Sequence, residues 1–299
     1  MRPQLSAASG RPQLGTASRS PQLGTASRRP QLSKDTRLCI SLAGRPSNIG
    51  TRFHNHLYEV LGLDFLYKAF TTDDISAAIG GVRALGIRGC SVSMPFKQAV
   101  LDLVDAVEHS AKSIRSVNTI VNDDGRLTAS NTDYLAVQQL IGTHGLTPQQ
   151  SVLIRGSGGM AGAVGAAFAD SGFDAGVVVA RNPVAGAALA DRLGYEYTAE
   201  VGRRTADIVV NVTPIGMAGG PEENDVAFDD ATIRAARTVF DVVALPSETP
   251  LICAARAAGV DVITGAQVIA LQAAEQFARY TGVRPSPEQI AEASAVSRA

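Results

Sequence analysis

The sequence predicts an α/β protein of two units, each built on a largely parallel sheet. Three observations carry that reading. From Thr36 onward, short β-type runs alternate with helical patterns. Several later runs are continuously apolar, as strands covered on both faces are. A helical pattern ending near Gly145, followed by Pro148, separates the two groups.

In chain order, LCISLA (38–43) reads as a strand, TRFHNHLYEVLG (51–62) as a helix, FLYKAF (65–70) as a strand and DDISAAIGGVRALG (73–86) as a helix. VNTIVN and RLTASN flank Asp123-Asp124-Gly125, a tight turn that predicts a β-hairpin. A helix follows over 134–144. The second unit offers SVLIR, AGVVVA, DIVVNV, TVFDVV and VDVIT as parallel strands within 151–264. Two helical patterns close the chain, Gly265–Tyr280 and Ser286–Ser297.

Residues 1–33 stand apart. RPQLSAASG, RPQLGTASR and SPQLGTASR repeat in tandem from Arg2 to Arg28. One Leu per repeat cannot build a core, and recurring Pro, Gly and Ser favour solvated chain. The segment is expected to be a disordered extension.

Composition narrows the rest. The net charge of −1 conceals five Arg and no acid in 1–33, so 34–299 carries 22 basic and 28 acidic groups. Neither balance suggests a nucleic-acid partner. No run approaches the ~18 apolar residues of a membrane span. Cys39, Cys90 and Cys253 lie outside any C-x-x-C pattern and read as buried structural thiols of a reducing, cytoplasmic setting. His54 and His56 point to different faces of one helix, so no metal site is expected.

VLIRGSGGMAGAV places Gly156-x-Gly158-x-x-Ala161 after a strand and at the opening of a helix. The first Gly permits the turn, the second admits a pyrophosphate, and the small third residue lets helix and strand pack closely. The helix N-terminus then receives the phosphates. After the next strand, NAD binders commonly place an acid, whereas this chain has Ala180-Arg181-Asn182. A solvated Arg competes as a reading of Arg181, but the missing acid favours NADP. Lys97 and Asp133 each lie just beyond a predicted strand, and such a pair can move a hydroxyl proton without metal.

At these residues the chain resembles the shikimate dehydrogenase family over about 34–284. SVSMPFK (91–97) is similar to N-V-T-x-P-H-K, SVNTIVN (116–122) to A-V-N-T, and SNTD (130–133) to N-T-D. VNVTPIGM (210–217), DVVALPSETPL (241–251) and LQAAEQF (271–277) match later segments in order. The resemblance implies Lys97 and Asp133 as the catalytic pair, with Ser93, Asn118 and Gln272 on substrate hydroxyls. It implies Gly156, Ser157, Gly158, Gly159, Met160, Ala161 and Arg181 as cofactor-binding. Asn211, Thr213, Gly216 and Met217 would line the nicotinamide end, and Val242 and Gly265 join the cofactor set. A substrate-binding domain would comprise 34–134 with 265–299, and a Rossmann-like NADP domain 135–264. A monomer or homodimer acting on a small molecule is expected.

The chain also departs from the pattern. Asn48 and Gly50 stand where the family's S-x-S-P serines hold the substrate carboxylate, Ala244 replaces a Tyr, and Phe96 replaces the His beside Lys97. A lost hydroxyl contact to a carboxylate costs roughly 1.5–3 kcal/mol unless replaced. Asn48, Ser47 and Thr51, near a helix N-terminus, are the candidates to replace it. The resemblance is therefore to a divergent branch. Its implied activity is NADP-dependent interconversion of shikimate, or a close cyclic relative, and the 3-dehydro ketone. Quinate dehydrogenase, or a dehydrogenase of another small hydroxy acid, is the alternative. A non-enzymatic dinucleotide sensor is a third reading, but it has no need of Lys97, Asp133, Asn118 and Gln272 together.

Overall fold

A computed structural model describes residues 31–298. The repeat expected to be disordered thus lies outside the described residues, except for its last three positions. The first group of elements is β1 (Arg37–Leu42), α1 (Ile49–Val60), β2 (Phe65–Phe70), α2 (Ile75–Ala84), β3 (Gly89–Val92), β4 (Ala106–Val107), α3 (His109–Lys112), β5 (Thr119–Asp123) and β6 (Arg126–Ser130). Its strands form one sheet in the order β2-β1-β3-β5-β6-β4. β1 runs parallel to β2 and β3, but β5 pairs antiparallel with both β3 and β6. The sheet is therefore mixed. β5 alone runs against the other strands, and the expected hairpin, whose Asp124 and Gly125 take φ of 50° and 91°, turns the chain back into β6.

α4 (Thr132–Thr143) leads into β7 (Val152–Arg155), α5 (Gly159–Asp170), β8 (Gly176–Val179), α6 (Pro183–Leu193), β9 (Glu196–Thr198), β10 (Ile208–Asn211), α7 (Asp230–Ala235), β11 (Thr238–Asp241), α8 (Pro250–Ala257) and β12 (Asp261–Thr264). These strands form a wholly parallel sheet in the order β12-β11-β10-β7-β8-β9. The chain winds outward from β7 on one side and resumes at β10 on the other, leaving a crevice at the switch point. The apolar runs are buried on both faces. Ile154, Val210 and Phe240 pack toward α4 and α5, whereas Leu153, Val209 and Val239 pack toward α7 and α8. Each such side chain contributes about 1.5–3 kcal/mol on burial. β4 and β9, at two and three residues, are too short to leave a periodic signal in sequence.

α9 (Gly265–Thr281) and α10 (Pro287–Arg298) return to the first sheet. α9 packs on α4, α1 and β5, and α10 packs on α1. Thr264 and Gln267 form a reciprocal capping box that fixes where α9 starts. The division expected between 134 and 135 falls inside α4. Among the described residues no helix is long and apolar enough to cross a membrane.

One expectation about cysteine fails. Cys39 and Cys90 are buried, but Cys253 is exposed. α8 buries Leu251, Ile252 and Ala255, and the helical period turns position 253 away from that face.

His54 and His56 do diverge. His56 faces Glu292 at 3.4 Å, whereas His54 stacks on Tyr67 with centroids 4.4 Å apart and planes at 8°. Phe277 and Tyr280 of α9 lie within 6.1 Å and 5.9 Å of the His54 ring. Burial pushes the His54 pKa from 6.5 down to about 3, against a weaker opposing contact from Gln276. The folded state thus resists a proton that the unfolded chain accepts. Its stabilisation is complete above about pH 6.5 and is lost as the pH falls from there toward 3. His54→Phe, which keeps the stack, should flatten the decline in unfolding free energy measured by urea titration between pH 6.5 and 4. An unchanged decline would assign the acid sensitivity elsewhere.

Candidate active site

A large and a small cavity open beside the sheets. The larger, about 1010 Å³, lies at the switch point and is lined by Arg155, Gly156, Ser157, Gly158, Arg181 and Thr213, among others. Gly156 has φ of 130°, and a Cβ there would stand 2.8 Å from Val212 Cγ2 and 2.9 Å from its carbonyl oxygen. Only glycine fits. α5 then starts with no side-chain cap and no acid in its first turn. Its free amides and the positive end of its dipole suit a phosphate.

Two cations flank this cavity. Arg181 is exposed and lies 4.0 Å from Glu222. Arg155, at the end of β7, donates to the Ala227 carbonyl, and burial lowers its pKa. The cavity therefore meets the demands of a phosphorylated dinucleotide: close backbone approach, free helix amides and guanidinium groups. Gly159, Met160 and Ala161 do not line it; Ala161 is buried where α5 meets the core, as its small size implies.

Asn211, Gly216, Met217, Val242 and Gly265 also lie outside its lining. Asn211 turns into the protein, where its Nδ2 donates to Asp241 Oδ1 at 3.0 Å and its Oδ1 accepts from Thr213 N and Oγ1 at 3.0 and 2.6 Å. It thus positions Thr213, which does line the cavity. Gly265 backs onto strand β11's exit, where a Cβ would meet the Val242 and Val243 carbonyl oxygens at 2.4 Å. Asp241 also accepts from Val243 N at 3.0 Å and Thr249 Oγ1 at 2.6 Å. Its carboxyl is pushed up by burial, with these three donors opposing.

The smaller cavity, about 290 Å³, is at the small end for ligand sites. Lys97 Nζ and Asp133 Oδ2 meet there at 2.8 Å, both side chains only partly exposed. Lys97 follows β3, and its carbonyl accepts Val117 N at 2.8 Å, which ties its turn to the start of the hairpin. Asp133 sits in the first turn of α4, where the helix dipole favours a carboxylate. Asn131 caps that helix by accepting from Tyr134 N at 3.0 Å. Asn118 Oδ1 accepts Thr132 N at 2.7 Å and Thr119 Oγ1 at 2.8 Å. Thr132 Oγ1 donates toward Gln272 Oε1 at 3.2 Å.

Ser93, Asn118 and Gln272 therefore line the same cavity as the Lys–Asp pair. Asn48 and Thr51 do not. Asn48 is exposed at the head of α1 and makes no side-chain cap bond, and Thr51 Oγ1 is buried below it. Sequence reasoning missed Tyr67, Ser91, Arg45 and Gln276 in this lining. Gln276 was findable, since it follows Gln272 by four residues on one helical face. Tyr67 follows Phe65 on the buried face of β2.

A parallel sheet with its switch point at a glycine turn, beside a second sheet bearing a Lys–Asp cavity, defines a two-lobed α/β protein with a Rossmann-like unit. The family model for the shikimate dehydrogenase substrate binding domain matches residues 48–120. A shikimate dehydrogenase-like protein of Haemophilus influenzae is 57% identical over 266 residues, covering 89% of this chain and 98% of that relative. A shikimate dehydrogenase (NADP(+)) of Citrifermentans bemidjiense is 35% identical over 265 residues, covering 82% and 89%. The solved shikimate 5-dehydrogenase of Thermus thermophilus, in complex with NADP(H) and shikimate, superposes with a TM-score of 0.78 at 27% identity, covering 87% of this chain and 99% of that one. A quinate dehydrogenase from Corynebacterium glutamicum, in complex with NAD, gives 0.78 at 28%, covering 87% and 98%. The chain belongs to the shikimate dehydrogenase family.

The Asp241 network yields a stability test. Asp241→Ala strands three buried donors, on Asn211, Val243 and Thr249, and should lower the urea-derived unfolding free energy by about 3 kcal/mol. A loss under about 1 kcal/mol would show that the network is dispensable.

Proposed function

We propose that this protein is an NADP-dependent oxidoreductase that interconverts shikimate, or a closely related cyclic hydroxy acid, and its 3-dehydro ketone. The observation that carries this reading is the 2.8 Å contact of Lys97 and Asp133 at the small cavity. NADP, when bound, takes or supplies the hydride. In the oxidation direction Lys97 Nζ accepts the proton of the reacting hydroxyl. In reduction its ammonium returns a proton to the carbonyl oxygen. Asp133 orients Lys97, accepts a hydrogen bond from its Nζ and stabilises the ammonium that forms. Asn118 and Gln272 bind further hydroxyls, with Ser93 beside them.

The cofactor lies, on this reading, along Gly156–Gly158 with its phosphates at the start of α5, and Arg181 meets the 2′-phosphate. Arg181 would exchange its 4.0 Å neighbour Glu222 for that phosphate. Residues 34–134 with 265–299 serve as the substrate domain and 135–264 as the cofactor domain. The family's quinate dehydrogenase supports an alternative, in which quinate is the preferred acid. Steady-state turnover of shikimate, quinate and related acids with NADP and NAD decides between them.

Two variants test the assignments. Lys97→Ala should lower kcat by about 10²–10⁴-fold while KM for the acid changes far less. Turnover that survives intact would remove Lys97 from the chemistry. Arg181→Ala should raise KM for NADP about fivefold or more and leave KM for NAD within about twofold. Equal effects on both cofactors would cancel the role given to Arg181.

A further inference from the structure

The small cavity has an uneven charge distribution. Its charged lining side chains are Arg45, Lys97 and Asp133. Lys97 and Asp133 neutralise each other at 2.8 Å. Among the described residues, Arg45 has no carboxylate partner. The cavity therefore carries one uncompensated positive charge, and Arg45 supplies it.

Arg45 is exposed, yet it follows an anchored residue. Gly44 N donates to the Met94 carbonyl at 3.0 Å, and the Gly44 carbonyl accepts from Thr71 Oγ1 at 3.4 Å. The residue thus stands one position from an anchor to the turn that carries Lys97. Beside Arg45 the cavity lining supplies the neutral hydroxyls of Ser41, Ser47, Tyr67 and Ser91. Position 50 adds none, although a Cβ there would make only ordinary van der Waals contact. A Cβ on Gly50 would stand 3.5 Å from the Tyr67 hydroxyl, which is itself bonded to Ser91 Oγ at 2.6 Å.

A carboxylate among hydroxyls alone lacks a counter-charge, whereas a guanidinium presents two parallel donors to it. We propose that Arg45 is the specificity-determining residue that binds the carboxylate of the substrate. This rests on the reading of the substrate as a cyclic hydroxy acid. It also explains how the chain dispenses with serines at 48 and 50. The loop meets the anion with a charge where the family uses hydroxyls, and leaves Lys97 and Asp133 to the reacting hydroxyl.

The test compares shikimate with its uncharged methyl ester in the full chain, using native protein, Arg45→Gln and Arg45→Lys. Arg45→Gln should raise KM for the acid about tenfold or more, leave its kcat within about twofold, and leave KM for the ester within about twofold. Arg45→Lys should recover part of the loss, because it restores the charge without the fork. In native protein, added salt should raise KM for the acid and spare the ester. That measurement needs no variant. Equal changes for acid and ester, or no change in either, would overturn the assignment while leaving the proposed activity standing. If native protein turned over none of the acids, the proposed activity would fail instead. Arg45 would then be judged by calorimetric binding of the same acid and ester. Weakening of the acid alone by Arg45→Gln upholds its role, and equal binding, or none, overturns it.

Discussion

The site hangs on one carboxamide. Asn118 Oδ1 takes the Thr132 amide at 2.7 Å and so holds the start of α4 against the hairpin. Asp133 is the next residue, and its position relative to Lys97 follows from that bond. Asn118 is itself almost wholly buried, and Gln276 Nε2 donates to its carbonyl at 3.2 Å and to Thr119 Oγ1 at 3.0 Å. Lys97 is fixed to the same strand region through Val117. A single polar network thus sets both members of the ion pair, with backbone amides rather than flexible side chains supplying the critical donors. Buried groups of this kind tolerate little displacement, because each unmade bond costs about 1–3 kcal/mol.

The second sheet solves a different problem. Parallel strands buried on both faces leave nothing polar within the sheet to bind a ligand, so binding falls to strand ends. β7 and β10 pair to their ends, the segments that follow leave toward opposite faces, and Gly156 lets the backbone pass beside Val212 without a side chain between them. The uncapped start of α5 completes the arrangement. Asn211 and Asp241, although buried, serve the same edge by holding Thr213 and the loop after β11 in place.

Much of this was legible in sequence, for physical reasons. Short apolar runs rich in β-branched residues, such as SVLIR and DIVVNV, read as covered strands. The glycine turn carries its meaning in three positions close together. Lys97, Asp133, Asn118 and Gln272 became a set through ordered motifs, since nothing in spacing alone brings residues 97 and 272 together. Arg45, Tyr67 and Arg155 were illegible because their roles depend on what they face. Tyr67 looks like any core aromatic of an alternating strand until its hydroxyl is found beneath Gly50. Asn48 and Thr51 show the converse: proximity to a helix start suggested the cavity, but neither side chain is part of its lining. Cys253 shows the limit of composition, because residue type suggested burial and helical phase decided against it.

The return of α9 and α10 to the first sheet has a consequence for the order in which the chain matures. Phe277 and Tyr280 complete the aromatic cluster around His54, Tyr58 and Tyr67, and Gln272 and Gln276 close one wall of the small cavity. These partners are separated by some two hundred residues of intervening chain, all of the second sheet among them. On the ribosome, the nucleotide-binding half can therefore fold while the amino-terminal half still lacks its last wall. Such non-local pairing is slow to form and exposes apolar surface until it does. The small cavity cannot be complete until α9 has been made, after every strand of both sheets.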